Sequence, residues 1–320
     1  MKLREIYNLF VKEGIKTELR TVKQLQKVLR DKRNVYYKSA TKVKKFFDKE
    51  SLNNPYADTR ILFGAPNSNI RRVLVGIDIG VGELLLADRL SQSGKKIDLV
   101  IAHHPEGIAL AGLDDVMNLQ TDVINNLGID FNVAKSLMAK RISKVSRGLH
   151  GENHTRSVDA AKLLNIPFIC CHTPADNHVA KYLQNLVDKK RPKTLQHLID
   201  LLLNELEYQD AALNKAGPQI LIGQKTSKTG KVFVDMTGGT EGSEDIYARV
   251  SQLGINTLLG MHLSDRHFQK FKEEHINLVI AGHMASDNLG MNFLLDKVEK
   301  KGKLEIIECS GFRRIRRVRY

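Results

Sequence analysis

Leu99-Val100-Ile101-Ala102-His103-His104-Pro105 is a short apolar run that ends in two adjacent histidines and a proline. Such a run reads as a strand covered on both faces, and open α/β sheets place their sites just beyond the carboxyl ends of strands. Pro105 has no N–H to give the ladder, so the strand stops there. Neighbouring side chains on a regular strand point to opposite faces. Two tandem histidines can therefore serve one centre only where the backbone is leaving the strand, which is where these two stand. A packed strand-end histidine with a solvated neighbour is the plain alternative for such a pair taken alone.

The pattern recurs twice. Pro167-Phe168-Ile169-Cys170-Cys171 runs into His172-Thr173-Pro174-Ala175-Asp176-Asn177, and Asn277-Leu278-Val279-Ile280-Ala281 runs into Gly282-His283-Met284-Ala285-Ser286-Asp287. A helix starting near Gly282 stacks His283 and Asp287 on one face. At the second exit, His172 suits a backbone-bonding role while Asp176 is free to reach a metal. Upstream, Arg72 to Ile79 reads as a strand and Val81 to Leu90 as a helix, which with Ile97 to Ala102 makes a right-handed crossover in a parallel sheet. Asp78 falls near the same sheet edge, where a carboxylate can orient a ligand or bind metal.

Three strands from distant parts of the chain thus end in histidine, two of them with a carboxylate four residues on. They offer a nitrogen and oxygen donor set without thiolate, suited to Zn²⁺, Mn²⁺, Fe²⁺ or Ni²⁺ and larger than one ion needs. Two metals sharing a bridging carboxylate is the simplest explanation, and hydrolysis by a metal-activated water is the chemistry such a pair supports.

At 320 residues and 42% hydrophobic content, the chain has length enough for one large domain or two ordinary ones. Its apolar runs are far short of a membrane span and its charged start is no signal peptide, so a cytoplasmic location is expected. Cys170, Cys171 and Cys309 form neither a disulfide framework nor a zinc cluster, and the first two read as buried, inert thiols. The net charge of +14 lies at the ends: residues 1–50 carry 15 basic and 6 acidic residues, and the last ten carry arginines 313, 314, 316, 317 and 319 with no acid. A large anionic ligand would be met there.

In chain order, Ile6 to Phe47 shows helical spacing and reads as a basic helical appendage spanning residues 1–55. The Pro/Asn/Gly-rich passage from Asn53 to Asn67 reads as a boundary, with the core at 60–320. Helices are expected over 116–127, 132–145, 158–164 and much of 180–216. Strands are expected at 219–222 and 231–235 with a hairpin-like turn between them, and at 304–307 before the tail. The division drawn is two lobes from 60–180 plus 235–320, with 181–234 intervening. Glu152 and His154, in the loop from His150 to Thr155, read as loop residues or as proton carriers. Thr237 to Ser243 is a Gly-rich loop that suits a tight turn or a phosphate cradle at a helix start.

Ile101-Ala102-His103-His104-Pro105, Cys171-His172-Thr173-Pro174-Ala175-Asp176 and the segment from Gly254 to Gly290 around Ala281-Gly282-His283 together resemble the GTP cyclohydrolase 1 type 2 homologues, or Nif-three-like dinuclear metal-centre proteins. The resemblance covers roughly residues 60 to 320. It implies two linked α/β lobes with mostly parallel sheet, two divalent metals in the cleft between them, and a homo-oligomer, commonly a hexamer. By it, His103, His104, Asp176, His283 and Asp287 look like the metal ligands, with Asp287 where the family usually has Glu. The implied function is a metal-dependent hydrolase acting on a nucleotide or other phosphorylated small molecule, with His172, His154 or Glu152 moving protons. The other class is a metal-binding regulatory or assembly protein that contacts nucleic acid or protein through its basic termini. A phosphoesterase of the Asp-His-His type ranks last, since Ala102 precedes the pair.

Overall fold

The computed structural model describes residues 1–317, so Arg319 of the basic tail lies outside the described residues. Nine strands among the described residues form two sheets. The first holds β1 (Thr59–Phe63), β2 (Arg72–Gly76), β3 (Leu99–Ala102), β4 (Phe168–Cys171) and the late strand β9 (Glu305–Glu308), in the order β1-β4-β3-β2-β9. Only β1, against β4, is antiparallel. The second holds β5 (Gln219–Ile222), β6 (Lys231–Asp235), β7 (Ile255–Gly260) and β8 (Asn277–Ile280), in the order β5-β8-β7-β6, with only β5 antiparallel.

These strands depart from expectation at two places. The passage taken as a boundary contains β1, an edge strand whose register on β4 pairs Thr59 with Cys171. The expected hairpin is absent from the described residues, because β5 and β6 lie at opposite edges of the second sheet. The physical reason is burial. β7 and β8 are mostly buried and take the interior, whereas β5 and β6 alternate between exposed or half-buried and more deeply buried positions and fit edges. Strands from 219–235 thus share a sheet with those from 255–280, across the division that set 181–234 apart.

Two helices bind the sheets together. Thr173–Lys190 follows β4 and His283–Glu299 follows β8. Ala175, Met291, Leu294, Leu295 and Val298 pack into the core of the first sheet, while Val179, Leu183, Ala285 and Leu289 pack into the core of the second. Gly290 allows the close approach: a Cβ there would stand 2.5 Å from the Ala175 carbonyl oxygen. The first of these helices begins earlier than expected, at Thr173 rather than near 180, because Pro174 in its first turn has no N–H for the helix to miss.

The N-terminal segment divides in two. Helix Leu3–Lys16 is built into the core through fully buried Leu3, Ile6 and Phe10, whereas helix Val22–Lys38 buries only Leu25 and keeps Lys23, Lys27 and Lys38 exposed. The tail is tied down rather than free. Arg314, with a 2% exposed side chain, pairs with Asp296 and Glu299, and Arg317 pairs with Glu205 and Glu207.

Candidate metal centre

The parallel strands of both sheets point their carboxyl ends into one cleft. Its walls are His172 and Asp176 after β4, Asp235 to Glu241 at and after β6, Gly260 to Leu263 at and after β7, and His283 and Asp287 after β8. His103 and His104 enter from the end of β3. Their backbone N–H groups still donate to Gly76 and Ile77, but the chain bends, so both rings turn toward the same centre with centroids 5.1 Å apart.

Each of these histidines is held by one nitrogen and presents the other. His103 Nδ1 lies 3.1 Å from the Cys171 carbonyl oxygen, His104 Nδ1 lies 2.6 Å from Asp78 Oδ1, and His172 Nδ1 lies 2.9 Å from Asp58 Oδ2. A neutral imidazole that donates from Nδ1 keeps its Nε2 lone pair free, the arrangement that outer partners impose on metal-ligating histidines. Asp78 therefore has the orienting role its place in the sequence suggested. Asp58 gave no such sign, since it sits in the passage taken for a boundary.

The inward atoms converge on Asp287. His103 Nε2 is 3.4 Å from both Asp176 Oδ1 and Asp287 Oδ1; His104 Nε2 and His283 Nε2 are each 3.4 Å from Asp287 Oδ2. His103 Nε2, Asp176 Oδ1 and both Asp287 oxygens are buried and find no hydrogen-bond partner among the described residues. Hydrogen bonds between such groups run about 2.7–2.9 Å. Two donors at about 2.0 Å from one tetrahedral ion stand roughly 3.3 Å apart. The spacing is that of ligands around an ion; two of the three donor groups share Asp287, His103 with Asp176 and His104 with His283, and the third joins His103, His104 and His172. The residues present thus fit a metal site, and the Asp side chain reaches both sets although it is one methylene shorter than Glu.

Electrostatics leave Asp287 and His283 in the deprotonated forms that bind metal, while burial would lower His104 but Asp287 and Asp78 raise it. Burial opposes ionisation of Asp287, but the surrounding His103, His104 and His283 hold its carboxyl far below the usual range. Burial pushes His283 down to about 4, leaving its ring neutral. His172 moves the other way: burial would lower it, but Asp176 and Asp58 raise it to about 9. Burial also raises Asp176.

The five residues expected as ligands, His103, His104, Asp176, His283 and Asp287, are brought together, with His172 beside them at 4.9 Å between its ring and that of His103. Glu152 and His154 are not. Glu152 is exposed, and the His154 backbone carbonyl accepts from Gly107 in the loop that follows the histidine pair. The Gly-rich loop walls the cleft through Thr237, Gly239 and Thr240, but it enters only a single 3₁₀ turn and a six-residue helix, so no helix N-terminus cradles an anion there. Opposite the histidines stands a set that motif reading missed. Asp235 is raised to about 6 by burial, and Glu241 is brought down to about 2 because His262 and Ser264 bind its carboxylate against the burial that would raise it. Burial pushes the Cys170 thiol up to about 12, as suits an inert packing residue.

Fold and cluster together define a two-sheet α/β protein with a buried His/Asp site able to hold metal. Its structural neighbours are NIF3-superfamily proteins, in agreement with the family the three motifs resemble, and its fold is the NIF3 fold. A NIF3 superfamily protein from Sphaerobacter thermophilus is 27% identical over 80% of this chain and 91% of its own, with a TM-score of 0.70. Reduced HcgD from Methanocaldococcus jannaschii is 14% identical over 83% of this chain and 94% of its own, with a TM-score of 0.48. A Bacillus cereus protein related to NIF3 is 14% identical over 88% and 96%, with a TM-score of 0.40. No protein-family model and no curated protein sequence matches the chain. Among the described residues, no helix is long and apolar enough to cross a membrane.

Proposed function

We propose that this protein is a dinuclear metal-dependent hydrolase acting on a nucleotide or another phosphorylated small molecule. The observation that carries the proposal is Asp287, buried to 1% exposure, with each carboxylate oxygen turned to a different histidine set and neither one hydrogen-bonded. His103, Asp176 and Asp287 would hold one divalent ion; His104, His283 and Asp287 would hold the other. When bound, such a pair of zinc, manganese, iron or nickel ions supplies Lewis acidity toward a phosphoryl or carbonyl oxygen and makes water acidic enough to be a nucleophile at neutral pH. The chain's own residues do the rest. Asp78, Asp58 and the Cys171 carbonyl fix the three rings, and His172, which contacts the cluster without sharing Asp287, is placed to carry a proton to or from the reacting group. We place the protein in the cytoplasm and expect it to assemble as a homo-oligomer, a hexamer by the family resemblance.

Metal content per chain, measured by plasma mass spectrometry alongside phosphate release from nucleotides and aryl phosphates, tests the proposal. Roughly two equivalents are expected in wild type. Metal and turnover should both be lost in His103→Ala and in the more exposed variant His104→Ala. A chain that takes up no zinc, manganese, iron or nickel on reconstitution is not a metallohydrolase, and one that holds metal without turnover favours the metal-binding regulatory or assembly reading.

A further inference from the structure

We infer that the substrate is a short single strand of nucleic acid, whose backbone phosphates lie along the basic face of helix Phe131–Leu149 while one phosphodiester reaches the metal cleft; this rests on the hydrolase reading above. The helix carries Lys135, Lys140, Arg141, Lys144 and Arg147 and no acidic residue over its 19 positions. Lys140, Lys144 and Arg147 recur at four- and three-residue spacing, so they form one stripe about 10 Å long. Together with Arg141 and, across the gap, Arg266, they line an open groove with Glu241, Glu244 and Asp245 as its acidic members. Glu241 is already engaged by His262, His267 and the Ser264 N–H, which leaves five cations facing two acids. Among the described residues, none of these five cations is in an ion pair, and two make side-chain hydrogen bonds: Arg141 with the Glu241 carbonyl and Arg147 with the Ser143 hydroxyl.

Continuity with the metal cleft sets the length of the ligand. The loop through Glu241 walls both spaces: its carbonyl accepts from Arg141 in the groove, while its carboxylate lies 3.6 Å from His262, whose ring is 4.5 Å from that of His283. A molecule that fills the cleft and also neutralises the stripe must carry phosphates beyond the reach of one mononucleotide. It must also be flexible, since the donors of Asp287 lie at the buried floor of the cleft. A single strand meets both conditions. Of the two basic ends expected to meet nucleic acid, the C-terminal tail has Arg314 and Arg317 committed to carboxylates.

The test is fluorescence anisotropy of a 5′-labelled twelve-residue oligothymidylate with the full chain, in chelator so that binding is read apart from turnover. Three phosphate contacts predict a fall of about 20-fold in affinity between 50 and 200 mM salt. Lys140→Glu/Lys144→Glu, both at exposed positions, should weaken binding at least tenfold at 50 mM salt while leaving metal content unchanged. Absence of binding, binding indifferent to the double substitution, or displacement of the probe by ATP at equal phosphate concentration would each overturn the inference. None of these results bears on metal content or aryl phosphate hydrolysis, so the hydrolase reading would fail only by its own test.

Discussion

Gly290→Ala tests whether the packing of two helices sets the spacing of the metal ligands. Helix Thr173–Lys190 carries Asp176 and helix His283–Glu299 carries Asp287, and they touch where Gly290 faces Ala175. An added Cβ would lie 2.5 Å from the Ala175 carbonyl oxygen, 2.8 Å from its carbonyl carbon and 2.9 Å from Val179 Cγ2, where ordinary contact begins at 3.4 Å. Two of these three atoms are backbone, so the helices must part by nearly an ångström. Replacing glycine within a helix gains about 0.5–1 kcal/mol from propensity. Overpacking a rigid interface costs about 1–3 kcal/mol. The net expectation is a loss of about 1–2 kcal/mol, or roughly a five- to thirtyfold fall in the folding constant. Because the displaced residues flank Asp176 and Asp287, metal affinity should fall about tenfold as well. Urea denaturation of the metal-free protein and competition with a chromophoric chelator read the two effects. A variant as stable as wild type, with unchanged metal affinity, would refute the idea that this contact positions the ligands.

Asp235 makes the stability of the metal-free protein depend on pH. Its folded pKa, about 6, is above the unfolded value, so its contribution favours folding below about pH 4 and is lost as pH rises through 6. The carboxyl is half-buried on an open cleft, so solvent screening brings the effect to about 1–2 kcal/mol; Asp235→Asn should remove that slope in urea titrations from pH 4 to 7. Asp58→Ala leaves His172 Nδ1 and the Thr173 hydroxyl without their buried acceptor, and should cost about 2–4 kcal/mol by thermal or urea unfolding, with Asp58→Asn milder. Arg314→Met leaves buried Asp296 without its guanidinium and Glu299 with the half-exposed Arg316, and a loss of about 3 kcal/mol is expected, read by the same denaturation.

What the sequence disclosed depended on whether a residue's role was local. His103, His104, Asp176, His283 and Asp287 stood out because each lies at or just beyond the end of an apolar strand, and strand ends are where parallel sheets gather side chains. The start of the helix at His283 was legible for the same reason: Gly282, at φ 108°, supplies the break, and the i, i+4 pair follows it. Asp58 was hidden because β1 is a short edge strand in a passage rich in turn residues, and its bond to His172 joins positions 114 apart. The basic face of Phe131–Leu149 was hidden because residues between the termini balance in net charge, which masks a helix without acids. The false hairpin between β5 and β6 arose from adjacency in sequence, where the buried strands β7 and β8 won the interior of the sheet.

The site also bears on why the two lobes hold together. His103 and His104 come from the first sheet, Asp176 from the helix after β4, and His283 and Asp287 from the helix after β8 of the second sheet. Without an ion, two buried carboxylates face each other across orphaned donors, and buried polar atoms without partners each cost on the order of 1–3 kcal/mol. A fold that keeps four such atoms at one point is spending stability there, which glycine-tight helix packing and buried ion pairs at the tail offset elsewhere. On the proposed reading an ion relieves that cost and joins ligands from both sheets, so metal binding and the docking of the lobes should be thermodynamically linked. The linkage has a definite sign: saturating metal at 100 times its dissociation constant adds about 2.7 kcal/mol to unfolding. His104→Ala should reduce that gain while disturbing the metal-free protein less than His103→Ala, because the His104 side chain is 25% exposed whereas that of His103 is fully buried.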